Sequence, residues 1–117
     1  MKVQDLQIWK KSVDLVEDIY KTTSTFPNEE KFGLVAQMRR SAISIPSNIS
    51  EGYGRKTSGE LLQFLGIARG SLCELETQVI IAKRLKFLKD NEKLINIISE
   101  LHKMIYSFTS KINSNNS

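Results

Sequence analysis

Leu61-Leu62-Gln63-Phe64-Leu65-Gly66-Ile67-Ala68-Arg69-Gly70-Ser71-Leu72-Cys73-Glu74-Leu75-Glu76-Thr77-Gln78-Val79-Ile80-Ile81-Ala82 is the stretch that decides the fold. Within it Leu61, Leu65, Ala68, Leu72, Leu75, Val79 and Ala82 follow one another at alternating steps of four and three. That spacing returns each apolar side chain to one side of a helix and is the pattern of a bundle or coiled-coil seam. Phe64, Ile67 and Ile80 widen the seam, as suits a helix with neighbours on more than one side. Gly66 and Gly70 each cost a helix interior about 1 kcal/mol relative to alanine. Their spacing of four points to close approach by another backbone. The pattern predicts a helix over 58–87, and Thr57 and Glu60 at its start have the separation of a capping box.

Upstream, Gly52-Tyr53-Gly54-Arg55-Lys56 breaks the apolar pattern and closes a second helix expected over 29–52. Leu34, Val35, Met38, Ala42, Ile45 and Ile49 form its stripe. It is expected to open at Asn28 or Glu29, with Glu29 and Glu30 in the first turn, where the helix dipole favours anions. Pro46 falls inside the stripe and costs a regular helix roughly 3 kcal/mol. The apolar pattern continues through it, so the reading is a kink there, with small Ala42 where the ring meets the preceding turn. Ser41, Ser44 and Ser47 are then expected to bond carbonyls loosened by the bend. The alternative is two short helices split at Pro46. A first helix over 5–23 carries Trp9, Val13, Val16 and Tyr20 as its face, with Ile8, Leu15 and Ile19 beside them. A fourth, over 91–112, repeats the seam with Leu94, Ile98, Leu101, Ile105, Phe108 and Ile112 behind an Asp90 N-cap. Asn113 to Ser117 reads as a frayed polar tail. The fold class is all-α: an antiparallel up-down-up-down four-helix bundle, its second helix kinked at Pro46, with 1–117 as one domain.

Bulk properties agree with that reading and narrow the function. The 117 residues suffice for one core, and 40% apolar with 26% charged residues is ordinary globular composition. No apolar run exceeds Val79 to Ala82, so no membrane span and no membrane partner is expected. Met1 to Trp9 lacks the apolar core of a secretory signal. A single cysteine, Cys73, fits a reducing compartment, and the expectation is cytoplasmic. The net charge of +4 is uneven: residues 1–30 hold four Lys against six Asp or Glu, while 31–56 hold five Lys or Arg against Glu51 alone. A basic second quarter permits an anionic partner.

Catalytic groups are hard to assemble from this chain. His102 is the only histidine and reads as a surface residue. Cys73 has no histidine or second cysteine nearby and reads as a small buried apolar group rather than a nucleophile. Gly52 to Gly59 lacks the order and the preceding strand of a phosphate loop. The Glu-x-x-His pairs of di-iron bundles are absent. The expectation is therefore a protein with no enzymatic activity, no cofactor and no metal. What remains is basic: Lys83-Arg84-Leu85-Lys86-Phe87-Leu88-Lys89 holds more cations than a helix C-terminus needs, which points to an anionic partner at Lys83, Arg84 and Lys86. Arg55 and Lys56 place two cations at a loop tip. Arg39 and Arg40 border the apolar stripe, where a guanidinium serves either a carboxylate or a phosphate. Glu51, Glu74 and Glu76 are their candidate ion-pair partners, with Arg69 as a third cation.

Phe32-Gly33-Leu34, Arg39-Arg40-Ser41-Ala42, Ser44-Ile45-Pro46-Ser47-Asn48-Ile49 and Glu51-Gly52 with Gly54-Arg55 stand in order. Phe64-Leu65, Ala68-Arg69-Gly70-Ser71-Leu72 and Glu74-Leu75-Glu76-Thr77 follow on the third helix, and Leu6 and Trp9 precede them. This set resembles the small bacterial four-helix bundles known as 23S rRNA intervening-sequence proteins, over nearly the whole chain. The resemblance implies an oligomer, since a related accessory variability determinant of diversity-generating retroelements is a homopentamer that binds a reverse transcriptase and nucleic acid through basic surface. By that analogy the chain assembles into a ring of five and contacts nucleic acid, RNA first, through Arg39, Arg40, Arg55, Lys56 and Arg69. The alternative is a protein-interaction scaffold, with a reverse transcriptase as one kind of partner, whose basic residues form ion pairs within and between subunits.

Overall fold

In the computed structural model, which describes residues 1–116, the chain forms four α-helices and no strand among the described residues. They are α1 (Gln7–Thr23), α2 (Leu34–Tyr53), α3 (Ser58–Arg84) and α4 (Glu92–Asn116). Each packs on the next in sequence and α4 closes back on α1, which is the up-down-up-down bundle. Short connections force alternate direction, and the result is a rod of 48 × 23 × 20 Å. The α1–α2 and α3–α4 connections share one end, where the rings of Phe26 and Phe87 lie 5.8 Å apart. At the other end the Tyr53 hydroxyl donates to the Met1 carbonyl (2.7 Å).

The seam on α3 is the core. Leu65, Ala68, Leu72, Leu75, Val79 and Ala82 are buried to 1% exposure or less, against Met38, Ala42, Ile45 and Ile49 of α2 and Ile98, Leu101 and Ile105 of α4. The remaining seam member, Leu61, is only partly buried. On α1 the buried line is Ile8, Ser12, Leu15, Ile19 and Thr23. Of the broad face expected from the sequence, Ile8, Leu15 and Ile19 are buried, whereas Trp9, Val13 and Val16 sit at the margin and Tyr20 is exposed. Two polar residues complete the buried line. Both are satisfied locally: Ser12 donates to the Trp9 carbonyl (2.8 Å) and Thr23 to the Ile19 carbonyl (2.7 Å).

Helix boundaries differ from expectation where side chains close turns of their own. Asp5 accepts from the Lys2 N–H (3.0 Å) and ends a short 3-10 turn, so α1 starts two residues later than its predicted start at residue 5. Asn28–Glu30 form another 3-10 turn, and the chain passes through Gly33 (φ −106°, ψ −109°) before α2 begins. Glu29 and Glu30 therefore sit ahead of α2 rather than in its first turn. Helix α2 runs unbroken through Pro46, which rules out two helices split there. The serines do not serve it as expected: Ser44 Oγ pairs with Ser71 Oγ on α3 (2.8 Å), and the buried Ser41 Oγ has no partner. A carbonyl near the proline is met instead by Asn48, whose amide donates to the Ser44 carbonyl (2.7 Å).

Thr57 caps α3 as its spacing predicts, accepting from the Glu60 N–H (3.2 Å). The helix ends three residues before its expected end. Phe87 N–H donates to the Ala82 carbonyl and Lys86 N–H to the Lys83 carbonyl, the paired bonds of a Schellman motif. Its left-handed position is held by Lys86 (φ 65°), a role the sequence does not advertise because glycine usually fills it. Asp90 accepts from the Glu92 N–H (2.9 Å) and so caps α4 from one position further out than predicted. Helix α4 continues through the expected tail to Asn116; Ser117 lies outside the described residues.

The glycines reverse their predicted roles. A Cβ on Gly52 would lie 2.8 Å from Phe64 Cβ and 3.3 Å from the Leu61 carbonyl, so α2 and α3 touch there by backbone. Nothing lies within 4 Å of a Cβ placed on Gly66 or Gly70, and both are exposed. Ile67 and Ile80, read as widening the core, are 45% and 44% exposed. Cys73, read as buried, is also exposed.

Lys86→Gly relieves a left-handed residue and is expected to stabilise the fold by about 1 kcal/mol, read as a raised midpoint in urea unfolding with unchanged slope.

Candidate nucleic-acid interface

The eight cations singled out in the sequence do not gather on one face. Helix α3 has 27 residues and so spans about 40 Å. Arg55 and Lys56 lie before its N-terminus and Lys83, Arg84 and Lys86 at its C-terminus, so these two groups occupy opposite ends of the rod. Arg39, Arg40 and Arg69 lie along the helices between them.

Local partners separate the eight further. Arg39 is built into the α1–α2 contact. Its Nε donates to Thr23 Oγ1 (3.0 Å), its Nη2 to the Tyr20 carbonyl (3.4 Å), and its guanidinium lies 4.4 Å over the Tyr20 ring. Arg40 bonds Glu74 Oε2 of α3 at 2.6 Å while its Nε and Nη2 take Gln37 Oε1. Both partners of that ion pair are about half exposed, which limits its worth to roughly 0–1 kcal/mol. Arg55 stands between Glu51 (3.9 Å) and Glu60 (3.7 Å) and over the Phe64 ring (4.8 Å). The predicted carboxylate partners thus hold for Arg40 and fail for Arg39, which uses a hydroxyl, a carbonyl and a ring. Glu76 meets His102 (3.5 Å) instead, and that histidine is half-buried rather than on the surface.

Among the described residues, Lys56, Arg69, Arg84 and Lys86 have no carboxylate within ion-pair distance. Lys83 also lacks one; its ammonium bonds the Lys89 carbonyl across the α3–α4 connection. The unpaired cations are therefore concentrated at the α3 C-terminus, where Arg84, Leu85 and Lys86 are all exposed. Lys31 and the 89% exposed Phe32 sit in the α1–α2 connection at the same end. Phe32 and Lys31 are the members sequence reading passed over; the signal was a lone aromatic in a polar loop. The neighbouring α1–α4 groove is acidic, lined by Asp14, Glu17, Asp18, Asp90, Glu92 and Glu100, with Lys11 paired to Glu100 (3.0 Å) and Lys93 to Asp18 (3.5 Å). Among the described residues no cluster of His, Cys, Asp or Glu is arranged to hold a metal ion. Among the described residues no helix is long and apolar enough to cross a membrane.

The family model of the 23S rRNA-intervening sequence protein matches residues 4–107. The fold is similar to the crystal structure of a protein of unknown function from the S23 ribosomal protein family of Bacteroides thetaiotaomicron VPI-5482, with a TM-score of 0.78. The two are 23% identical over 87% of this chain and 97% of that one, a likeness that shows the fold alone. No curated protein sequence matches.

Truncating Arg39 to alanine is expected to lower stability by about 1–2 kcal/mol, through its charged hydrogen bonds and ring contact. Arg84→Ala is expected to stay within about 0.5 kcal/mol of the parent chain, as an exposed residue without partners does. Parallel thermal unfolding of the two variants measures the difference.

Proposed function

The chain belongs to the 23S rRNA-intervening sequence protein family, and we propose that it is a non-enzymatic, oligomeric, cytoplasmic protein that binds nucleic acid, RNA and in particular rRNA. The observation that carries the binding half is the end of α3. Lys83, Arg84 and Lys86 there are exposed and free of carboxylate partners, while Arg39, Arg40 and Arg55 are engaged within the fold. Cations left unpaired at a helix terminus gain most from displacing counterions around a phosphate chain. Lys56 and Arg69 are secondary contacts.

The assembling half rests on the outer face of α3. Gly59, Gln63, Gly66, Gly70, Cys73, Thr77 and Ile81 run along it exposed and without a charge, with Ile67 and Ile80 beside them. A solvated helix face is normally charged, and two interior glycines cost about 2 kcal/mol together with no contact inside the monomer to repay it. A second copy supplies that contact. A different uncharged strip lies across α1 and α2, where Trp9, Val13, Pro46, Ser47 and Ser50 line a shallow groove with Glu51 at its edge. Unlike faces on one protomer make a heterologous contact, which closes into a ring when the rotation allows. A ring of five is the form the family resemblance implies.

A scaffold reading, with a protein such as a reverse transcriptase as partner, is favoured by the Arg40–Glu74 and Arg55–Glu60 pairs. It predicts that the basic α3 end is dispensable for binding.

Fluorescence anisotropy with structured rRNA fragments at two salt concentrations tests the RNA reading. Affinity is expected to fall steeply with salt, and Lys83→Glu with Arg84→Glu and Lys86→Glu to abolish most of it while the far-UV circular dichroism is unchanged; absence of binding at low salt sinks the reading. For assembly, light scattering is expected to give five times the 13.3 kDa chain mass. Gly70→Leu is expected to reduce it to the single-chain mass without loss of helix.

A further inference from the structure

At the end of the rod that carries the free cations, a notch of about 320 Å³ opens between the last turn of α1 and the first turns of α2. Arg39 and Lys31 line it together with the polar groups of Thr23, Ser24 and Asn28, and no carboxylate does. The guanidinium is already aimed. Thr23 is buried and passes its own proton to the Ile19 carbonyl, so its oxygen accepts from Arg39 Nε (3.0 Å), and the Tyr20 ring fixes the guanidinium plane at 4.4 Å. That leaves the Nη1 edge unspent. Lys31 lines the notch from an exposed turn, its ammonium 5.5 Å from the Phe32 ring centroid and with no ion-pair partner among the described residues.

The Thr23 and Ser24 hydroxyls already donate to the Ile19 and Lys21 carbonyls, so the donors left for a tetrahedral oxyanion are the fixed guanidinium, the free ammonium and the Asn28 amide. A base does not fit as well. The one ring in the wall, Phe26, is 7% exposed and committed to Phe87, so it offers no stacking platform. Glu29 and Glu30 lie on the same connection, outside the lining, with Glu30 folded toward Gly33. We propose that this notch seats one phosphate group of the nucleic acid, with Arg39 and Lys31 as its two cationic contacts. The proposal rests on the nucleic-acid reading above and deepens it, because it names a defined seat beside the diffuse charge of the α3 terminus.

Two measurements on the full chain test it separately from that reading. In the first, inorganic phosphate is titrated while the Arg39 Nε–H resonance is followed by nitrogen-edited NMR, in the parent chain and in Lys31→Ala, an exposed change that leaves the fold intact. A saturable shift in the parent, weakened in the variant, is expected. In the second, the affinity of a single-stranded RNA 20-mer is measured against salt. Lys31→Ala is expected to make the log–log slope shallower by about 0.7, the share of one phosphate contact on a single strand. An RNA-binding protein whose slope is unchanged by the substitution overturns the seat, whatever phosphate does. A phosphate shift in a chain that binds no RNA supports the seat and removes the nucleic-acid reading instead.

Discussion

Helix α3 carries the packing of the bundle on its inner side. Its inner seam, from Leu65 to Ala82, is the surface on which α2 and α4 assemble, and each of its buried apolar residues lies at 1% exposure or less. Its contact with α2 is closest where Gly52 meets Phe64 and Leu61, with no space for a side chain between the backbones. The polar bonds between the two helices, Ser44 to Ser71 and Arg40 to Glu74, line up along the same junction. Its outer face is the opposite case: an exposed strip without charge, rich in small residues, whose glycines Gly59, Gly66 and Gly70 meet no neighbour. A solvated helix face is normally charged. The monomer supplies interior on one side only, and the proposed assembly supplies the other.

The charges follow from that arrangement. Arginines beside the packed helices are drawn into the fold: Arg39 holds α1 to α2, Arg40 holds α2 to α3, and Arg55 closes the turn between α2 and α3. Each is held by acceptors its neighbours provide, so basic composition there reports first on structure, with the Nη1 edge of Arg39 left for the proposed phosphate seat. At the last turn of α3 and just beyond it, Lys83, Arg84 and Lys86 form a run of cations without local acids. Six of the thirteen acids line the groove between α1 and α4. The protein is thus polarised, with an acidic flank and a basic terminus, although its net charge is modest.

The architecture could be read from Leu61 to Ala82 because a seam repeated without a miss leaves little choice of fold. Thr57 was legible for the same reason: a cap declares itself by spacing within one turn. Three kinds of feature were not. On α1 the buried Ile8, Leu15 and Ile19 were part of the expected apolar face, but Ser12 and Thr23 were not, because they satisfy themselves through backbone carbonyls and pass as surface residues. The start of α1 was set by a side chain folding back on the preceding turn, that of α2 by a 3-10 turn and the backbone of Gly33, and the end of α3 by a lysine in a backbone position normally left to glycine. Finally, a glycine in sequence does not say which neighbour it admits. Gly52 meets α3 inside the monomer, whereas Gly66 and Gly70 face outward with no contact at all. For the site, residue type identified the cations, but only their partners separated the structural ones from the free ones.

Cys73 lies in the middle of the outer face of α3 and is exposed in the single chain, which makes its thiol a reporter for the central claim. The rate of its reaction with a small disulfide reagent, measured over a range of protein concentrations, tests that claim most directly. If copies pack on this face, the thiol is protected at high concentration and reacts at the rate of a free thiol only on dilution. A rate equal to that of a free thiol at every concentration contradicts the account.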